Sequence, residues 1–176
     1  MRALRIPVLL LLVVLVAAPA LAQDERPIQL SLLNPVQIFS EDESIKGLRL
    51  NILYGKNANM TGVDIGFIAG HTTGNGKGVQ WNLVNITEGD FLGWQWGAAN
   101  ITGGAFTGYQ LGWYNSTKGP TEAFQWGLVN SAENMSGFQL GLVNYAKNMY
   151  GLQIGLINII SSKDKLPVLP IVNWSF

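Results

Sequence analysis

The sequence predicts an all-β fold assembled from repeats: a meander of about ten antiparallel strands that closes into a barrel, with an open single-layer sheet or a β-solenoid as the alternative. Three observations predict it. An octapeptide recurs along the chain, apolar and polar residues alternate strictly inside each copy, and the connections between copies are short. The copy Gly78-Val79-Gln80-Trp81-Asn82-Leu83-Val84-Asn85 returns at 93–100, 108–115, 123–130, 137–144 and 151–158, with the consensus G-φ-Q-φ-G-φ-φ-N. Weaker copies stand at 27–34, 47–54 and 62–69, and a degenerate one at 166–173.

Each copy reads as strand because its apolar slots (Phe138, Leu140, Leu142) fall on one face and Gly137, Gln139 and Gly141 on the other, a period of two that no helix matches. Ten extended residues cover roughly 33 Å. The four or five residues left over reach at most about 18 Å. On that arithmetic a parallel return fails unless the strands are much shorter than the alternation, so consecutive copies should pair as hairpins. The glutamine slot advances by 15 residues from Gln80 to Gln95, Gln110 and Gln125, then by 14 to Gln139 and Gln153. Two-residue turns at Glu88-Gly89, Gly103-Gly104 and Lys118-Gly119, and three-residue turns ending at Asn134 and Asn148, suit those two periods. This register places each Gln opposite a Gly, and Arg49 opposite Gly66.

Ahead of the repeats, Arg2 and Arg5, an apolar run from Val8 to Ala18 and Ala20-Leu21-Ala22 form the pattern of a secretory signal peptide, residues 1–22, leaving a β-repeat domain of residues 23–176. Cleavage removes two of eleven basic residues and none of the eleven acidic ones, so the remaining net charge is near −2 and offers no footprint for nucleic acid. With no Cys there are no disulfides and no thiolate metal sites.

Catalysis needs positioned acids, bases or metal ligands, and the chain is poor in them. The expectation is a non-enzymatic protein without cofactor or metal. His71, the single histidine, reads as an exposed loop residue, and Glu41-Asp42-Glu43 as a solvated loop. Arg49 and Asp64 occupy the glutamine slot of consecutive copies and should pair diagonally on the polar face. Together with Gln80, Gln95, Gln110, Gln125, Gln139 and Gln153 they form a structural polar face, as the filling of a narrow interior or the lining of a channel. Trp81, Trp94, Trp96, Tyr109, Trp113 and Trp126 suit a lipid interface or core packing, or a face that stacks sugars. Six N-x-S/T sequons occur, at Asn59, Asn85, Asn100, Asn115, Asn134 and Asn173, and chance accounts for most of them because the repeat ends in Asn and polar turns follow.

An apolar face this continuous requires a partner. Lipid supplies one if the sheet closes, apolar outside and polar inside, as a transmembrane barrel with every backbone group paired. The terminal Val172-Asn173-Trp174-Ser175-Phe176 resembles the signal read by the outer-membrane barrel assembly machinery. Leu30 to Phe39, Gly47 to Asn51 and the repeats of GLQxGLVN type resemble an uncharacterised family of bacterial surface-repeat proteins. The resemblance implies an exported outer-membrane or cell-surface protein of structural or pore-like type, with outer-membrane lipid and the assembly machinery as partners. The alternative is an exported repeat protein that binds a partner or glycan through its aromatic face. Pro167 and Pro170 in the last strand count against closure.

Overall fold

The structure is a computed structural model that describes residues 25–176, so the expected signal peptide lies outside the described residues. Its elements are β1 (Glu25–Leu33), β2 (Val36–Gln37), β3 (Ser44–Asn57), β4 (Met60–Gly66), β5 (Ala69–Thr72), β6 (Gly76–Trp81), β7 (Val84–Thr87), β8 (Phe91–Trp96), β9 (Ala99–Thr102), β10 (Phe106–Leu111), β11 (Tyr114–Ile160) and β12 (Val168–Ser175). Among the described residues there is no helix.

The chain is a β-solenoid of about seven turns, which overturns the antiparallel meander and the closed barrel. Successive copies stack in parallel and in register: Gln80 pairs with Gln95, Gln95 with Gln110 and Gln110 with Gln125. The reason lies in the middle of the repeat. The ten-residue alternation is not one strand, because the chain bends at 67–68, 82–83, 97–98 and 112–113 and splits the early copies into a strand of six or seven residues and another of four. The first strand stacks in one sheet (β4, β6, β8, β10) and the second in the other (β5, β7, β9), so one copy makes one coil and returns to its starting level. In β11 extended geometry runs on through the bends, while amide contacts 14 residues apart show that the coiling continues. The 15- and 14-residue periods differ by one residue in the turn at the far edge, not by hairpin type.

Parallel stacking is favoured by what it puts together. From Gln80 and Asn85 onward identical amides meet at each level, as in amide ladders elsewhere, whereas a hairpin would set each Gln against a Gly. In the glycine column Gly78, Gly93 and Gly108, φ lies between +122° and +138°, and a Cβ at Gly108 would overlap the carbonyl oxygen of Gly93 below it. The coils approach one another here more closely than a side chain allows.

Three columns fill the interior. Beneath the outer turns lie Met60, Phe91, Phe106, Met135 and Met149, with the Phe91 and Phe106 rings stacked at 5.7 Å. The glutamines form the middle column and Asn85, Asn100, Asn115, Asn130, Asn144 and Asn158 the third, all buried. Both ends are closed. At the first coil, Phe39 exchanges two hydrogen bonds with the side chain of Gln29, and Asn57 donates to the Ser40 carbonyl. At the last, 166–173 is not another copy: β12 runs antiparallel to the end of β11, with Gln153 opposite Asn173. Pro167 and Pro170 thus sit in or beside a terminal strand, where Pro blunts further pairing. Phe176 points outward and meets the Tyr150 ring edge-on.

Candidate functional site

Each residue of the anticipated polar face is buried: Arg49, Asp64, Gln95, Gln110, Gln125, Gln139 and Gln153 are 0 % exposed and Gln80 is 1 % exposed. They face a filled interior, not a channel. Gln95 donates from Nε2 to Oε1 of Gln80 at 2.7 Å, and the pattern repeats through Gln110, Gln125, Gln139 and Gln153 at 2.6–2.9 Å. All these donors point toward the N-terminal coils. The asparagine ladder points the other way, Asn85 donating to Asn100 and so on to Asn158 at 2.7–2.8 Å. Each of these Asn from 85 to 144 also donates to a backbone carbonyl of the next coil, as Asn100 does to Leu111.

A carboxylate stands at the donor end of the glutamine ladder. Gln80 Nε2 lies 3.3 Å from Asp64 Oδ2, and Asn51 and Asn82 donate to the same carboxylate at 2.7 and 3.2 Å. Arg49 grips it with two hydrogen bonds, Nε to Oδ1 at 2.9 Å and Nη2 to Oδ2 at 2.6 Å, and donates from Nη1 to the His71 carbonyl. Arg49 pairs with Asp64 in the same slot of adjacent parallel strands, not diagonally, and the residue across from Gly66 is Asn51. The cluster's side chains occupy the volume that asparagine fills in later coils: Asn51 fills the space beside Gly55, and Asp64, Asn82 and the Arg49 guanidinium crowd Gly70, so glycine stands in that column at both levels. At the other end, Gln153 Oε1 has no donor. This cluster holds the stack together and has no access for a substrate.

His71 is not an exposed loop residue. It lies in β5, its Nδ1 2.7 Å from the Tyr54 hydroxyl and its Nε2 2.8 Å from Glu88 Oε1, with 15 % of its side chain exposed. Burial raises the Tyr54 phenol above its ordinary value. In the loop before β3, hydrogen bonds from Asn34 and Lys56 hold the Glu41 carboxyl below the usual range. The periodicity of the sequence did not reveal this trio because Tyr54, His71 and Glu88 are adjacent only through coil stacking.

The exterior carries the distinctive surface. With two of the three interior columns polar, the apolar slots of the repeat turn outward, so much of this solenoid's interior is amide and much of its skin is apolar. At the bend between the two sheets, Phe67, Leu83, Trp113, Leu128, Leu142 and Leu156 form an exposed tip. Beside it on the broader sheet run Trp81, Trp96 and Trp126 in one row and Trp94 and Tyr109 in the next, all exposed, with the Trp81 and Trp96 rings stacked at 5.0 Å. Between the Trp96 row and the tip lies a groove of about 930 Å³ floored by Gly97, Gly112, Gly127 and Gly141 and walled by Trp96, Trp126, Trp113 and Leu128. None of the charged residues falls in these rows. Glu88, Asp90, Lys118, Glu133 and Lys147 all lie on the opposite edge, in the turns that close each coil. No family model, curated protein or solved structure matches this chain.

Proposed function

We propose that the chain is an exported, non-enzymatic surface repeat protein whose working surface is the uncharged aromatic edge of the solenoid. The observation that carries this reading is the division of one rigid rod into an edge of Trp, Leu and Val and an opposite edge that holds the charges of the turns. Exposed apolar patches beyond a few hundred Å² mark interaction sites in stable proteins. Here the patch is anchored to a framework of stacked coils and amide ladders that fixes its shape.

The groove favours an apolar partner over a glycan. Its walls are Trp and Leu and its floor is Gly, so apart from indole N–H groups no side chain there can hydrogen-bond a sugar hydroxyl. The pore and the barrel-assembly partner both required a closed barrel and do not carry over. The signal-like leader at residues 1–22 supports export.

Cell fractionation of the full chain tests the reading. Wild type is expected in the envelope fraction. The triple variant Trp96→Ser, Trp113→Ser, Trp126→Ser, its fold checked by circular dichroism, is expected to leave it. Unchanged fractionation of a folded triple variant would show that the aromatic edge is not the working surface.

A further inference from the structure

We infer that the partner of this edge is a single lipid leaflet, into which the solenoid sinks edge-first with its long axis parallel to the membrane. The inference rests on the reading above, that the aromatic edge is the working surface, and names what covers it.

Three observations point to lipid. The first is layering. The tip is mainly aliphatic, the rows above it carry the Trp and Tyr rings among aliphatic residues, and the charges begin beyond them, with Lys77 and Glu122 in the next outward slot of the broad sheet and the charges of the turns on the far edge. This is the order of a hydrocarbon interior, an aromatic belt at the headgroup level and water. The second is that the backbone at the tip is tied from coil to coil: Tyr114 N–H donates to the Ala98 carbonyl, Val129 N–H to Trp113 and Gly112 N–H to Trp126, while Asn100 and Asn115 side chains donate to the Leu111 and Trp126 carbonyls. Backbone in hydrocarbon must be satisfied internally, and an ordinary loop edge is not.

The third is size. Two steps of two residues separate the Trp94 row from the tip, roughly 13 Å. That fits within one leaflet, about 15 Å, and is less than half of the ~30 Å needed to span. From Phe67 to Leu156 the tip runs about 29 Å at one coil per ~4.8 Å. A second copy laid on one face would cover on the order of 400 Å², well short of the ~800 Å² per partner of a stable interface. Lipid tails can instead wrap the tip and both flanks. With no basic residue in these rows, the attraction does not depend on anionic headgroups.

The test is flotation of the full chain with phosphatidylcholine vesicles, followed by depth-dependent quenching with brominated lipids. Wild type is expected to float equally with and without added anionic lipid and to remain bound in high salt. Leu128→Asp and Leu142→Asp, on exposed positions that leave the interior intact, should each lower vesicle partition by at least about tenfold, while Lys118→Ala and Glu133→Gln on the far edge should not. In variants keeping a single Trp, with Phe at the other Trp positions, bromines deep in the acyl chain should quench Trp113 more than Trp94, and shallow bromines the reverse. Binding that requires anionic lipid, quenching without this order, or a soluble dimer that ignores vesicles would each overturn the inference. If vesicles are not bound but the triple Trp variant still leaves the cell envelope, lipid is wrong and the working surface stands. If that variant stays in the envelope, the underlying reading fails.

Discussion

Replacing Arg49 by alanine tests the parallel register and the buried cluster together. The substitution leaves the fully buried Asp64 carboxylate with three amide donors, Asn51, Asn82 and Gln80, and no cation, and strips the His71 carbonyl and Thr72 hydroxyl of a donor. Breaking a buried pair from one side costs about 3–5 kcal/mol. For a chain of this size that lowers Tm by roughly 6–20 °C. The double variant Arg49→Gln, Asp64→Gln is expected to be much milder. Because the two positions stack directly below Gln80, two glutamines extend the existing ladder by two levels, with Thr72 placed to donate as Thr87 does to Gln80. A residual cost of about 1–2 kcal/mol remains from the volume the guanidinium vacates beside Gly70. Thermal and urea denaturation followed by circular dichroism measure both. Equal damage from the single and double changes, or an Arg49→Ala variant within about 0.5 kcal/mol of wild type, would refute the argument.

Position along the glutamine ladder should matter. Gln110→Leu orphans Gln125 Nε2 and Thr117 Oγ1 and is expected to cost about 2–4 kcal/mol, whereas Gln153→Leu orphans no neighbouring donor, removing only its own Nε2 from Gln139 Oε1 and the Ile159 carbonyl, and should cost less in the same denaturation assay. Gly108→Ala, at φ +132° and against the Gly93 carbonyl, is expected to destabilise by at least about 1–3 kcal/mol. The reverse change Ala123→Gly, one coil on, should cost no more than about 1 kcal/mol. Equal Tm losses from these two would count against the close approach of the coils. The lowered Glu41 carboxyl, held first by Asn34 and then by Lys56, stabilises the N-terminal cap at pH above the unfolded carboxylate value, and this is lost as pH falls through the folded value. Protection of the backbone amides at 34–43, measured against their intrinsic exchange rates, should therefore fall in acid for wild type, and a Glu41→Gln variant should lose that acid dependence.

The local pattern of Gln139 flanked by Gly137 and Gly141, with Phe138, Leu140 and Leu142 between them, determined the β class, the repeat unit and the division into a polar and an apolar face. Those follow from a period of two, which any extended chain obeys. The placement of Arg49, Asp64 and the glutamines on one side was also legible, because slot position alone sets it. Connectivity was not. Whether Gln95 faces Gly112 in a hairpin or Gln110 in a coil depends on a bend at Gly97-Ala98 that leaves the alternation intact on both sides and so has no signature in periodicity. Only coil-to-coil contacts decide it: a Gln amide finds its partner in the same slot one level away, Asn100 reaches a carbonyl of the next coil, and the glycine column allows the backbones to close up. The same stacking brought Tyr54, His71 and Glu88 together across separate coils. It also turned an apolar face expected on the outside of a closed barrel into a one-sided edge. Sequence alone determines which residues share a face, while the face's shape and the company it keeps belong to the tertiary structure, because both arise from contacts between copies about 15 residues apart.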